Sequence, residues 1–238
     1  MPWPRSCDPP PRHDGRVSWI FPEPDERGLV GVGADLAPAT LLDAYRQGVF
    51  PWPHAGIDEI PWFSPDPRGV IAGPPHLSRS LRRRIARCGF EITADAAFAR
   101  VVERCACRPG QGTWITPEMV GAYVELHRLG AAHSVEVWDG TLLVGGIYGV
   151  QVGGVFTAES MFHDAPDASK IALAALCRRL AEAGGSTLDV QLVTPHLETL
   201  GACEVTRASF LALLARERER EVRLATAPSG ASHLLEPW

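Results

Sequence analysis

The chain alternates between runs of period two and runs of period 3.6, and the order of the two predicts a mixed strand–helix fold. Residues 145–150 and 155–162 are extended runs that meet at Gly153-Gly154, a hairpin signal. Strand side chains alternate between faces, so Val155, Thr157, Glu159 and Met161 are expected on one side. A carboxylate among such neighbours must be paired, hydrogen-bonded or raised in pKa. Taken alone, Glu159 reads as a structural group holding a loop or an arginine; chemistry there depends on what converges on it. Asp139-Gly140 predicts a second hairpin between residues 134–138 and 142–144. Residues 187–193 read as a further strand. Leu188, Val190 and Leu192 face one way, while Asp189 and Gln191 share the other face and come to lie beside Glu159.

The helical pattern is equally ordered. A helix is expected to start at Asp35-Leu36-Ala37-Pro38, turn Leu41, Leu42 and Tyr45 to a core, and stop at Gly48. Leu77, Leu81 and Ile85 predict a short amphipathic helix over 77–87, and another helix is expected over 96–105. Thr116 as N-cap, Pro117 at the first position and Glu118 at the positive end of the dipole open a helix carrying Met119, Tyr123, Leu126 and His127. Asp167 is expected to cap a helix with Leu173, Leu176, Cys177 and Leu180 inside, and a last helix covers 208–218. The Pro/aromatic segments 49–53 and 61–68 read as shaped loops rather than helix or central strand. They close a small N-terminal domain, giving 1–65, with 1–16 expected to be disordered, and 66–238.

Composition changes this picture at a few points. A chain of 238 residues with 45% hydrophobic content can bury a proper core. The net charge of −5 does not favour a nucleic-acid partner, yet Arg79, Arg82, Arg83, Arg84 and Arg87 form a run without an acid between them. A solvated face is the usual meaning of such a run; the missing partners tilt the reading toward a polyanion. The six cysteines lack zinc spacing, so reduced, mostly buried thiols, no metal and a cytoplasmic monomer are expected. The N-terminus lacks the apolar run of a signal peptide, and the sequence contains no membrane-spanning stretch. Gly31-Val32-Gly33 offers only a weak dinucleotide fingerprint, without a third glycine, and is rejected.

Further motifs occur in a telling order: Asp35-Leu36, Gly48-Val49-Phe50-Pro51-Trp52, Trp62 to Arg68, Gly112 to Thr116, His133 to Trp138, Gly145 to Gly149, Glu159-Ser160-Met161-Phe162, Ala168-Ser169-Lys170, Asp189-Val190-Gln191, and His196-Leu197 with Leu200-Gly201-Ala202. From about residue 20 to about residue 213 the chain resembles the bacterial leucyl/phenylalanyl-tRNA–protein transferases. The resemblance implies an enzyme that moves Leu or Phe from its tRNA to the N-terminal Arg or Lys of an acceptor protein, marking it for degradation; an apolar pocket is expected to accept Met as well. It implies an α/β (α+β) architecture, a small N-terminal domain joined to an N-acetyltransferase-like mixed sheet, and no cofactor. Carried over, the catalytic carboxylate and amide fall on Asp189 and Gln191, with Glu159 close by. Ile147, Phe156 and Met161 would line an apolar aminoacyl pocket, and Trp52 and Trp114 would meet the terminal adenosine by stacking. Gln191 would orient the attacking amine through its carbonyl, with Asp189 fixing its rotamer.

Three rival readings differ in chemistry. A coenzyme A-dependent N-acyltransferase needs Q/R-x-x-G-x-G/A opening a helix; Gln151-Val152-Gly153-Gly154 fits the start, but Phe156 fills the last small position and a strand follows. A non-catalytic tRNA-binding module would use the arginines and not the polar trio. A thiol enzyme at Cys105 or Cys107 lacks a neighbouring base.

Overall fold

A computed structural model describes residues 20–54, 56–107 and 113–238; the expectation for 1–16, with Cys7 and Gly112, lies outside them. In chain order the elements are β1 (Leu29–Val32), α1 (Pro38–Arg46), β2 (Phe50–Pro51), β3 (Pro61–Phe63), β4 (Arg68–Ala72), α2 (Arg79–Cys88), β5 (Glu91–Ala94), α3 (Phe98–Ala106) and α4 (Pro117–Arg128). There follow β6 (Ala132–Asp139), β7 (Leu142–Val152), β8 (Val155–His163), α5 (Ala168–Glu182), β9 (Thr187–Gln191), α6 (Pro195–Glu198), β10 (Cys203–Val205), α7 (Arg207–Glu217) and β11 (Ser229–Gly230), before a 3-10 turn at Ala231–Leu235. The mixed α/β fold is present as expected.

Two sheets carry it. The small one runs β1-β3-β2, so Pro61–Phe63, expected to be a shaped loop, is its central strand. Proline is tolerated there because Pro61 is the first residue of the strand, and its carbonyl still accepts from the Trp52 N–H at 2.8 Å. The large sheet runs β10-β4-β9-β8-β7-β6-β5-β11, antiparallel except for β8 and β9. One face packs beneath α2 and α5, with Leu81, Ile85, Ile171 and Leu176 in its core. The other packs beneath α3 and α4 and shares a continuous core with α1 and the small sheet, through Leu41, Tyr45, Trp62, Met119 and Tyr123.

The parallel pair is brief. Val155, Phe156 and Thr157 pair with Thr187, Leu188 and Asp189, after which the strands part. Each strand is bulged at that point. Against β7, Tyr148 faces Ser160 while Gly149 faces Ala158, which leaves Glu159 as the extra residue. Against β4, Gly69 faces Gln191 while Val70 faces Asp189, so Val190 is extra. The first bulge reverses the alternation beyond it. Met161, expected beside Val155 and Glu159, packs instead against the cluster that holds Phe156.

Other differences are local. The Asp139-Gly140 turn closes one residue later, on Gly140-Thr141, because Asp139 is still paired with Leu142. Asp167 precedes α5 at φ 64° without a capping bond, and its carboxylate pairs with Lys170 at 2.9 Å. Among the described cysteines, Cys105 and Cys177 are buried, Cys88 is partly so, and Cys107 and Cys203 are exposed. The C-terminal tail had no predicted place. Its β11 pairs with β5, and buried Arg179 bonds the carbonyls of Ala225 and Ala227.

The bulge at Glu159 depends on Gly149. A Cβ there would sit 2.0 Å from the Thr157 carbonyl oxygen and 2.5 Å from the Phe156 ring. Gly149→Ala is therefore expected to cost about 3 kcal/mol, at the upper end for overpacking, and to lower the midpoint of thermal unfolding followed by circular dichroism. A midpoint equal to wild type would mean that the two strands can separate there without loss.

Candidate active site

Arg68 opens β4 amid apolar residues and is 1% exposed. A guanidinium so buried requires acceptors on all sides. Its Nε and Nη2 donate to the two oxygens of Asp189 at 2.8 and 2.6 Å, and its Nη1 donates to the Gly48 carbonyl at 2.9 Å. The plane of the group lies against Phe50 and Phe210, at 5.0 and 4.5 Å from the ring centroids. Asp189 is fully buried and also accepts from Thr157 Oγ1 and from the Gln191 backbone N–H, both at 3.0 Å. So enclosed, its carboxylate is occupied by donors of the protein itself.

The last of those bonds shapes Gln191. Its φ is 58°, a conformation unusual for a side chain of this kind, and the Asp189 oxygen holds the turn. Gln191 therefore reaches Glu159 through a bulge and a left-handed residue, not by simple alternation. Its Nε2 donates to Glu159 Oε1 at 3.2 Å. The rotamer role expected of Asp189 thus belongs to Glu159, while Asp189 fixes the backbone.

Glu159 is 9% exposed. Tyr123 donates to its Oε2 at 2.8 Å, and the Tyr45 hydroxyl lies 2.8 Å from that of Tyr123. Because Tyr123 spends its one proton on the carboxylate, Tyr45 must donate to Tyr123, which gives a directed chain Tyr45→Tyr123→Glu159. Burial pushes the Glu159 carboxyl up to about 7, against the hydrogen bond of Tyr123 and the Tyr45 hydroxyl behind it; the charge of Asp189 raises it further and Arg68 lowers it. Burial, and then the Glu159 charge, also drive the Tyr45 and Tyr123 hydroxyls well above the ordinary phenol range. A carboxyl that titrates near neutrality is suited to accept or hold a proton.

A cleft of about 210 Å³ opens where β8 and β9 part. Phe50, Pro51 and Trp52 contribute one stretch of its wall, Val190, Gln191, Leu192 and Thr194 another, with Trp114 and Glu159 completing it. Trp52, Trp114, Glu159 and Gln191 thus converge, and Asp189 stands behind them. Ile147, Phe156 and Met161, expected in the pocket wall, do not line this cleft. Ile147 and Phe156 are buried in the core under α5, and the bulge turns Met161 to that same side. Arg79, Arg82, Arg83 and Arg87 are exposed and Arg84 partly so; among the described residues none of the five is ion-paired. Arg82 bonds the Leu77 carbonyl at 3.1 Å and Arg84 that of Pro166 at 3.4 Å. Their helix α2 lies on the sheet face opposite Tyr123, so patch and cleft do not share a face.

Arg68, Tyr123 and Tyr45 had no assigned role in the sequence. Arg68 carried a usable signal, as an arginine in an apolar strand calls for a buried acid; the tyrosines read as ordinary core. Asp95, His127 and His133 place one potential metal ligand each within 4.8 Å. Their atoms are engaged otherwise: His133 Nδ1 meets Asp95 at 2.7 Å, His127 Nδ1 meets the Ala132 carbonyl at 2.8 Å, and the His127 ring stacks on Phe98 at 4.2 Å. Among the described residues no helix is long and apolar enough to cross a membrane.

The cleft joins aromatic walls to an amide and a carboxyl that titrates near neutrality, and comparison with known proteins gives the class, an aminoacyltransferase. A family model described as leucyl/phenylalanyl-tRNA protein transferase matches residues 71–215, and that family's N-terminal domain matches residues 34–66. The chain is 52% identical over 207 residues to the leucyl/phenylalanyl-tRNA–protein transferase of Anaeromyxobacter sp. (strain K), covering 84% of this chain and 88% of the relative. Identity to the protein of that name in Tolumonas auensis is 48% over 208 residues, covering 84% and 88%. For Enterobacter sp. (strain 638) it is 45% over 213 residues, covering 87% and 91%. The chain belongs to the leucyl/phenylalanyl-tRNA–protein transferase family.

Two outcomes test this geometry. Glu159 binds its proton more tightly in the folded chain, since its pKa there is about 7 against an ordinary 4.5. Its contribution to stability is complete below pH 4.5 and is lost as pH rises to about 7, on the order of 3 kcal/mol in all. Denaturant unfolding of Glu159→Gln should lose most of the slope in that window. An unchanged slope would deny the raised pKa. Asp189→Ala leaves Arg68 buried and unpaired and is expected to cost about 3–5 kcal/mol. Asp189→Asn retains hydrogen bonding and should cost clearly less. An Asp189→Ala midpoint equal to wild type would show that the ion pair does not matter.

Proposed function

We propose that the chain transfers Leu, Phe or Met from aminoacyl-tRNA to the N-terminal Arg or Lys of an acceptor protein, in the cleft between Trp52, Trp114 and Gln191. The relatives' names support the two substrate classes, and the cleft supplies suitable groups. Attack of an amine on an aminoacyl ester is downhill, so the site must mainly align reactants and receive a proton. The acceptor's α-amine attacks the ester carbonyl; the new amide bond forms as the ester C–O bond breaks, and the terminal ribose oxygen leaves with a proton. Gln191 orients the amine by accepting a hydrogen bond from it. The Glu159 carboxylate, held beforehand by the Tyr123 hydroxyl, takes the proton that the ammonium loses and becomes neutral; the second proton, lost by the nitrogen as the amide forms, goes to the leaving ribose oxygen. Trp52 and Trp114 stack on the adenosine. Phe50, Val190 and Leu192 meet the donor side chain.

One observation carries this reading. Gln191 is tied to Glu159 through its amide nitrogen, so its amide oxygen has no partner among the described residues and is free to accept at the cleft wall. The test is transfer of labelled Leu from Leu-tRNA to a peptide that begins with Arg, with acetyl-coenzyme A as the control donor. Gln191→Ala should reduce single-turnover transfer at least a hundredfold, in keeping with the loss of a positioned group. Leu, Phe and Met should all be donated, while Ile and Val, branched at Cβ, are disfavoured. An apolar wall discriminates by only about 1–3 kcal/mol per methylene, so the preference among the first three should be modest. Acetyl transfer, or Ile donated as fast as Leu, would overturn the assignment.

The arginines of α2 are assigned to tRNA phosphates, on the strength of their exposure and their lack of acidic partners. Replacing Arg79, Arg83 and Arg87 together with Gln should weaken tRNA binding and reduce the log–log salt slope by about 0.7–0.9 per lost contact, without altering amino-acid preference. An unchanged slope would return the patch to ordinary solvated surface.

A further inference from the structure

Trp52 walls a second cavity besides the cleft. It measures about 320 Å³ and is lined by Arg27, Leu29, Trp52, His54, Ile57 and Phe63; Trp52 is the residue that the two linings have in common. Three of the six are flat rings in mutual contact. The centroid distances are 4.8 Å for Trp52–His54, 5.5 Å for Trp52–Phe63 and 5.6 Å for His54–Phe63. Among the described residues no acidic side chain contributes to the lining. Arg27 brings a guanidinium to the rim, 83% exposed, held by Asp25 only at 3.7 Å.

Aromatic walls with a cation at the rim suit a flat base joined to a phosphate. We propose that this cavity receives the base of the nucleotide that precedes the donor's terminal adenosine, with His54 and Phe63 against the base and Arg27 on the linking phosphate. The inference rests on the reading of the cleft given above. Trp52 then stands between two successive bases, as aromatic side chains do along single strands. The rival occupant is the second side chain of the acceptor. Arg27 disfavours it, because an acceptor that begins with a cation would bring like charge to the same rim.

The experiment compares two minimal donors on the full chain, phenylalanyl-adenosine and its cytidylyl-adenosine counterpart, with one Arg-initiated peptide. The dinucleotide should show a KM about tenfold lower at similar kcat, the gain from one stacked base. His54→Ala should remove most of that advantage while leaving the KM of the nucleoside donor unchanged. Arg27→Gln should remove part of it, and should abolish its dependence on salt. Equal KM values for the two donors in wild type would overturn this proposal alone. So would a His54→Ala effect that tracks the second residue of the peptide, which would give the cavity to the acceptor. Absence of transfer from every donor, aminoacyl-tRNA included, would instead remove the cleft reading, and this one with it.

Discussion

The buried pair of Arg68 and Asp189 is the constraint on which the site depends. Two charges have been taken out of water, and only saturation of their hydrogen bonds makes that tolerable. Saturation recruits the rest of the neighbourhood. The guanidinium draws in the Gly48 carbonyl from the end of α1 and lies between Phe50 of the small sheet and Phe210 of α7. The carboxylate draws in Thr157 from β8 and the backbone of Gln191. One ion pair thereby fixes the N-terminal sheet, both parallel strands and the last helix relative to one another. Asp189 is the point at which these elements are tied together.

The bulges explain why there is a cleft at all. Two regular parallel strands would continue to pair and would fill the space between them. Here β8 and β9 each place an extra residue at the level of the Thr157–Asp189 pair, and the sheet opens just beyond it. Glu159 is itself one of those extra residues. The irregularity that opens the cleft also delivers the carboxyl to its wall, in surroundings dry enough to bring its pKa close to neutrality.

Much of the fold was legible because it rests on local signals. The Thr116-Pro117-Glu118 start of α4 and the Gly153-Gly154 hairpin lie where their residue types put them. The polar trio was legible too, since Glu159 and Gln191 do meet. Illegible were effects that break a period. Alternation cannot register a bulge, so Met161 was assigned to the wrong face and Asp189 to the wrong part of Gln191. A proline-rich run reads as a loop, although Pro61 can open a central strand. Tyr45 and Tyr123 lie 78 residues apart in sequence and each has the spacing of a core residue; only the tertiary fold joins their hydroxyls.

The tail bears on how the sheet keeps its edge. Arg178 and Arg179 sit in the middle of α5, and besides Glu182 and the Ile92 carbonyl they take as acceptors the carbonyls of Ala225, Ala227, Glu236 and Pro237. The edge of β5 is covered by Ser229–Gly230. An uncovered strand edge is a template for pairing with another chain. Two arginines buried in a helix thus act as the clasp that keeps a short strand seated over that edge.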